Sequence, residues 1–206
     1  MESVEYLGAF RLTQSDACFK LGRDSVLLAE FATVRSGWQV CDLGCGVGSL
    51  LLLLSQRVPN LTRIGVELDP VAADLARRNL ADNGLTGTVL TGDLRDADRL
   101  FDPEDRFDVI VSNPPYVTAE EMEHLEPELY REPRTALTDE GDGLSLIRAI
   151  IGLYPDRLNP GGVLLIEHGW RQAEAVRDMA EHAGLTYAPI RDYGGNTRAA
   201  EMRKKT

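Results

Sequence analysis

The chain has little that would suit it to a membrane or an oxidising compartment. Its longest apolar run is Leu50–Leu54, far short of the roughly 20 residues that cross a bilayer, so no membrane span is expected. Cysteine is scarce and odd in number. Cys18, Cys41 and Cys45 match no disulfide framework, which predicts small buried thiols in a reduced, cytoplasmic protein. The three histidines, His124, His168 and His182, and these cysteines show no zinc-ligand spacing, so no metal site is expected. Near the N-terminus stand Glu2 and Glu5 where a secretory leader would carry Lys or Arg, and no apolar stretch follows. Positive charge is also scarce. Against 33 acidic side chains stand 22 Lys and Arg, a net charge of −11 over 206 residues. That balance counts against a general nucleic-acid binder, although a local basic patch is compatible with it. The length predicts one domain, large enough to bury a core without cross-links.

From Gln39 onward, short apolar runs alternate with helix-period segments. Strands are predicted at Val40–Leu43, Arg63–Leu68, Thr88–Thr91, Phe107–Ser112, Val163–Glu167, Thr186–Ile190 and Ala199–Arg203. Helices are predicted at Ser49–Arg57, Pro70–Asn83, Leu144–Leu158 and Arg171–Ala183. Pro70 suits a first helical turn, and Gly84 and Gly184 suit the left-handed position that ends a helix. This alternation means βαβ units and a mostly parallel sheet. Runs such as Val109-Ile110-Val111 suit strands covered on both faces. Residues 1–37 precede the pattern. Tyr116–Gly143 interrupts it, and a long insert of that kind more often carries function than slack.

Asp42-Leu43-Gly44-Cys45-Gly46-Val47-Gly48 follows the first strand of the pattern and opens a helix. Glycines at 44, 46 and 48 permit a sharp turn and close approach of a ligand to the main chain, at the sheet edge where α/β folds bind ligands. Ser49 stands where a dinucleotide fingerprint needs its third glycine, and no nucleoside-triphosphate loop is present. An acid at the strand end would repel a pyrophosphate but suits a cationic amine or sulfonium. Glu67, at the end of the second strand, can take both hydroxyls of a ribose. Asp93, beside Leu94 after the third, can accept from an adenine amino group. Three acids at successive strand ends point to a nucleoside site.

Asn113-Pro114-Pro115-Tyr116 is the most specific signal in the chain. Successive prolines hold the backbone extended and donate no N–H, which leaves their carbonyls available. The tetrapeptide therefore sets an amide, a carbonyl and an aromatic ring in fixed relation. With Asp42, Glu67 and Asp93 resembling the cofactor site of class I methyltransferases, such an aperture suits methylation of a planar NH2 group, whose lone pair is delocalised and must be held in line with the methyl donor. The Asn113 oxygen and the Pro114 carbonyl can accept its two hydrogens and stabilise developing positive charge. Tyr116 can pack on the planar group.

The segments DLGCGVG, GVELDP, GDL and NPPYV, together spanning Val40–Val117, resemble class I methyltransferases acting on amino and amide nitrogens. The resemblance implies a Rossmann-like fold with a seven-stranded, mostly parallel sheet, helices on both faces and an antiparallel final strand. It also implies S-adenosylmethionine (SAM) as cofactor, held by Asp42, Gly44, Gly46, Gly48, Glu67, Asp93, Leu94 and Asn113. Downstream, REPRTAL, GDGL, NPGGVLLIEHGWRQAEAV and RDYGGNTR resemble the glutamine-N5 methyltransferases that modify peptide release factors. In that likeness Asn113, Pro114 and Tyr116 carry the catalysis. Pro115, Tyr116, Glu132 and Pro133 shape the acceptor entrance. Those enzymes usually carry a helical docking domain and a Pro-Arg motif upstream of the first strand, where this chain has about 37 residues and no Pro-Arg.

The upstream stretch YLGAFRLTQSDACFKLGRDSVLLAEFA resembles bacterial tRNA adenine-N6 methyltransferases instead. That likeness implies that residues 1–37, through Gln14, Phe19 and Asp24, line the cofactor site, with residues 38–206 as the methyltransferase domain. The expected acceptor is a protein glutamine, with tRNA adenine as the alternative. Glu120, Glu121, Glu123, Glu126, Glu128 and Glu132 crowd the insert, with Arg131 opposing. They would repel a phosphate backbone and favour a protein or cationic partner. Arg198, Arg203, Lys204 and Lys205 near the C-terminus argue the other way, as a tail that could contact RNA.

Overall fold

A computed structural model describes residues 1–125, 130 and 132–205, leaving aside the side chains of Arg23 and Asp24. The predicted roles of Glu126, Glu128, Arg131 and the Asp24 side chain lie outside the described residues. Two strands, β1 (Glu2–Leu7) and β2 (Phe10–Ser15), form an antiparallel hairpin ahead of α1 (Arg23–Phe31). There follow β3 (Gln39–Leu43), α2 (Ser49–Arg57), β4 (Thr62–Glu67), α3 (Pro70–Asp82), β5 (Thr88–Thr91), α4 (Ala97–Leu100) and β6 (Phe107–Ser112). After the insert, with its short α5 (Arg134–Leu137), come α6 (Ser145–Leu153), β7 (Leu158–Glu167), α7 (Ala173–His182), β8 (Leu185–Arg191) and β9 (Thr197–Lys204).

The seven strands from β3 onward form one sheet in the order β5-β4-β3-β6-β7-β9-β8. All neighbours are parallel except those of β9, which runs antiparallel to both β7 and β8. This is the seven-stranded, mostly parallel sheet expected from the sequence. Strand order reverses at β3, whose neighbours are β4 on one side and β6 on the other. The connections that leave their carboxyl ends run to opposite faces of the sheet and open the crevice that such sheets use for ligands.

The strand period of two assigns the two faces. Val40 joins the buried cluster packed under α2 and α3, with Leu52, Leu54, Ala73 and Ala76. Cys41 and Leu43 join the opposite cluster, with Ile147, Ile150, Tyr154 and Val176 from α6 and α7. Leu52 and Leu54 are fully buried, and truncating either to alanine costs about 2–5 kcal/mol.

Beyond α1, α4 and α5, which the pattern reading did not include, two elements differ from it. The predicted helix Leu144–Leu158 stops at Leu153, because Pro155 ends it in a tight turn, Pro155–Arg157. Residues 158–162 join β7 rather than a loop. Register slips there from Phe107↔Leu158 to Val109↔Val163, and this bulge accommodates Pro160 and a left-handed Gly161 (φ 77°). The second difference is the hairpin, hidden because β1 is almost wholly exposed and shows no apolar alternation.

What holds the hairpin comes from α3. Asn83 accepts from the Arg11 N–H (2.7 Å) and donates to the Arg11 carbonyl (2.7 Å). One turn earlier, Asn79 does the same for Thr13 at 2.9 and 2.8 Å. Helix positions i and i+4 are about one turn apart, close to the spacing of alternate strand residues. Two asparagines thus replace the missing neighbour strand. Among the described residues no helix is long and apolar enough to cross a membrane.

Candidate active site

The carboxyl ends of β3, β4, β5 and β6 border a cleft of about 440 Å3. Of the residues singled out in the sequence, Asp42, Gly44, Gly46, Glu67, Asp93, Leu94, Asn113, Pro114, Pro115 and Pro133 line it, whereas Gly48, Tyr116 and Glu132 do not. Ala17, Cys18, Phe19, Lys20, Leu21 and Ser25 complete the wall from the N-terminal side. Gln14 sits behind them, accepting from the Leu21 N–H at 2.7 Å.

The glycine turn is held by the neighbouring strand. Gly44 and Cys45 both donate their N–H groups to the Val66 carbonyl, at 2.8 and 2.9 Å. Gly44 and Gly46 have φ of 77° and 53°, and a Cβ on either would meet nothing within 4 Å. Their backbone faces the cleft uncovered, open to a ligand's close approach. Gly48 (φ 85°) serves packing instead, since a Cβ there would touch Ala76 on α3 at 3.4 Å. Asn79 joins this turn to the hairpin, because its amide also donates to the Val47 carbonyl at 2.9 Å.

The three acids differ in state. Asp42 is fully buried, and neither carboxylate oxygen has a hydrogen-bond partner among the described residues. Burial, and then the nearby Glu67 charge, push its carboxyl up to about 8. Glu67 is half-buried and already engaged: Oε2 accepts from Gly46 N–H and Oε1 from Asp69 N–H, both at 2.8 Å. It therefore ties the glycine turn to the β4 end. Asp93 is gripped by the Arg95 guanidinium at 2.5–3.0 Å, and that hydrogen bonding holds its carboxyl below the usual carboxylate range. An adenine amino group would have to share Asp93 with Arg95.

On the acceptor side, the Asn113 amide donates to Ser25 Oγ on α1 at 3.2 Å. Pro114 is buried and Pro115 half-buried in the wall. Tyr116 is not among the residues that line the cleft. Its hydroxyl donates to Glu167 Oε1 at 2.9 Å, and its carbonyl accepts from Gln172 Nε2 at 2.9 Å. The Val117 N–H donates to the Leu137 carbonyl at 2.9 Å. The far wall is shaped by Asp139, which accepts from the N–H groups of Gly141, Gly143 and Ser145, each at 2.9 Å. Burial works to raise that carboxyl, but hydrogen bonds from Ser145, Gly141 and Gly143 outweigh it and hold it low. Glu132 acts as a latch: its Oε2 accepts from Lys20 N–H at 3.1 Å, joining the insert to the N-terminal wall.

Ser25, Asp139, Glu167 and Gln172 were not singled out by the sequence reading. Asp139 with alternate small residues at 141, 143 and 145 is a legible turn pattern, and Gly169-x-x-Gln172 is a legible helix start. Nothing in the sequence ties either to the tetrapeptide. The basic tail also proves different. Arg198, Arg203 and Lys204 lie in β9, between β7 and β8, and pair with Asp192, Glu201 and Asp156.

The family described as methyltransferase small domain matches residues 19–159. A release factor glutamine methyltransferase of Geobacter sulfurreducens is 41% identical over 167 residues, covering 79% of this chain and 57% of its own length. One from Bordetella pertussis is 39% identical over 166 residues, covering 79% and 60%. The chain thus spans about six-tenths of the length of these curated relatives. Among solved structures, a 16S rRNA N2 G1207 methyltransferase of T. thermophilus, in complex with AdoMet and guanosine, superposes with a TM-score of 0.70 at 22% identity. It covers 100% of this chain and 50% of its own. A methyltransferase from Pyrococcus furiosus gives 0.62 at 20% identity, covering 86% and 78%. At these identities the likeness is one of fold.

Proposed function

We propose, from the premise that this chain belongs to the methyltransferase small domain family, that it methylates a planar NH2 nitrogen with SAM as donor. The acceptor in this reading is a glutamine side chain in a protein, of the peptide release factor kind. One observation carries the proposal. A buried carboxyl with no hydrogen-bond partner among the described residues, Asp42, and a rigid Asn-Pro-Pro aperture open onto the same cleft.

The cleft fits the cofactor. Asp42 supplies buried acceptor atoms for a cationic group, Gly44 and Gly46 present uncovered backbone, and Glu67 retains lone pairs for hydroxyls. SAM, when bound, supplies an electrophilic methyl on a sulfonium. The rest falls to the protein. With Nδ2 committed to Ser25, Asn113 Oδ1 is the end that accepts from an incoming NH2 group, beside the Pro114 carbonyl. Two acceptors fix the nitrogen's plane and favour the positive charge it gains as the new bond forms. Pro115 and Pro133 narrow the entrance, and Glu132 holds it by latching the N-terminal wall. Tyr116 serves as an anchor behind the aperture. Residues 1–37 contribute one wall of the cofactor site and residues 38–206 form the catalytic domain. A translation-factor acceptor would place the enzyme in the cytoplasm.

Support for glutamine comes from the named relatives and from the aperture's chemistry. The second reading, adenine N6 in tRNA, is favoured by Ala17–Leu21, which line the cleft and belong to the stretch resembling tRNA enzymes. Incubation with labelled SAM and either unmodified release factor or unmodified tRNA separates the two. Label in protein is expected, and label in RNA alone overturns the glutamine assignment.

A further inference from the structure

The residues behind the aperture are organised as a clamp. Tyr116 is held at both ends by the junction between β7 and α7. Glu167, the last residue of β7, takes its hydroxyl, and Gln172, just before α7, takes its carbonyl. Gln172 is itself oriented, because its Oε1 accepts from the Gly169 N–H at 2.9 Å while its own N–H donates to the Gly169 carbonyl at 2.8 Å. That fixes which end of the amide faces Tyr116. The same Nε2 lies 3.4 Å from the carbonyls of Asp142 and Gly143. Gly143 allows this convergence, since it sits at φ 70° and a Cβ there would collide with the Tyr116 carbonyl. Three carbonyls thus gather on one amide nitrogen, with the Tyr116 carbonyl the nearest of them, and its two hydrogens are shared among them.

We propose that Gln172 is a positioning residue for methyl transfer: it locks the Tyr116 peptide and so holds Asn113 and Pro114 in register with the cofactor cleft. The reasoning rests on the methyltransferase reading above, but the clamp has its own readout. Misplacing reacting groups by about 1 Å costs on the order of 100-fold in rate. Gln172 lies outside the cleft lining, so its loss should lower kcat without weakening either ligand.

The decisive substitution is Gln172→Glu, which keeps size and the acceptor for Gly169 but turns the donor into an acceptor facing three carbonyls. Gln172→Ala is its partner. Both are measured by methyl transfer from SAM to unmodified release factor, by calorimetric titration with SAM, and by amide hydrogen exchange over residues 113–118. For Gln172→Glu, kcat should fall about 10- to 100-fold, with KM and SAM affinity within about twofold. Exchange of the Val117 amide should rise by a similar factor, with Gln172→Ala intermediate. Unchanged exchange and unchanged kcat in both variants would overturn the clamp. An equal loss of SAM affinity and melting temperature would also overturn it, because a merely structural role predicts that pattern. If wild-type protein methylates no release factor yet Gln172→Glu still frees the Val117 amide, the glutamine reading fails and the clamp stands.

Discussion

The two halves of the cleft use polar groups in opposite ways. On the cofactor side, at the ends of β3 to β5, one acid stays open while its neighbours Glu67 and Asp93 are already engaged. Asp42 is buried with no hydrogen-bond partner among the described residues, and Gly44 and Gly46 place no side chain between backbone and cleft. On the acceptor side nearly every polar group is already mated: Asn113 with Ser25, Tyr116 with Glu167 and Gln172, and Asp139 with three N–H groups. The difference follows from the tasks. A cationic, hydroxyl-bearing cofactor needs unfilled acceptors, and its binding energy repays the cost of burying them. A reacting nitrogen needs direction, and direction comes from groups that cannot turn.

Substitutions on each side should therefore fail differently. Asn113→Ala should give the largest effect, a fall in kcat of about 100- to 1,000-fold with SAM affinity nearly unchanged. Single-turnover transfer alongside SAM titration would check this, and loss of SAM binding instead would erase the contrast. Next is Asn79→Ala, which strips partners from Thr13 and Val47 together. A loss of about 3 kcal/mol of stability is expected by urea denaturation, with Asn83→Ala costing less at its more exposed site. Glu67→Ala should weaken SAM binding about tenfold, as a charged hydrogen-bonding partner worth about 1.5–3 kcal/mol is lost, while the rate at saturating SAM holds.

The smallest effect is on pH. Asp42 is protonated in the free protein below about 8, whereas a bound cation favours its ionised form. Binding then releases a proton, and SAM affinity should rise as pH climbs towards about 8 and level off above it. For the ligand-free protein the sign reverses. Because the folded form holds this proton and the unfolded chain does not, stability falls as pH rises from about 4 towards 8. Asp42→Asn should flatten both dependences.

Much of the cofactor half was legible because it is sequential. Each of these strands has an acid at or just past its carboxyl end, so strand patterning locates Asp42, Glu67 and Asp93 together. The states of these acids were not legible. Nothing in the order of residues says that Arg95 folds back onto Asp93 or that Asp42 is left alone. On the acceptor half the tetrapeptide announces itself, but its hydrogen-bonding supports stand 51 to 88 residues away in sequence. Tyr116 is the instructive case. Its residue type suggests a ring facing the acceptor, whereas tertiary packing aims it at Glu167.

The sequence by itself determined the sheet, the glycine turn, the strand-end acids and the aperture. These follow from local rules: alternation of apolar residues, proline's fixed backbone and glycine's freedom. Tertiary structure alone decided how the N-terminal hairpin is held, through amides of α3 pairing with a strand some 70 residues earlier. It also decided which acid remains unpaired and what braces the aperture. Hydrogen-bond partners between distant segments are chosen by where the folded backbone brings donors and acceptors into range, and local patterning carries no record of that choice.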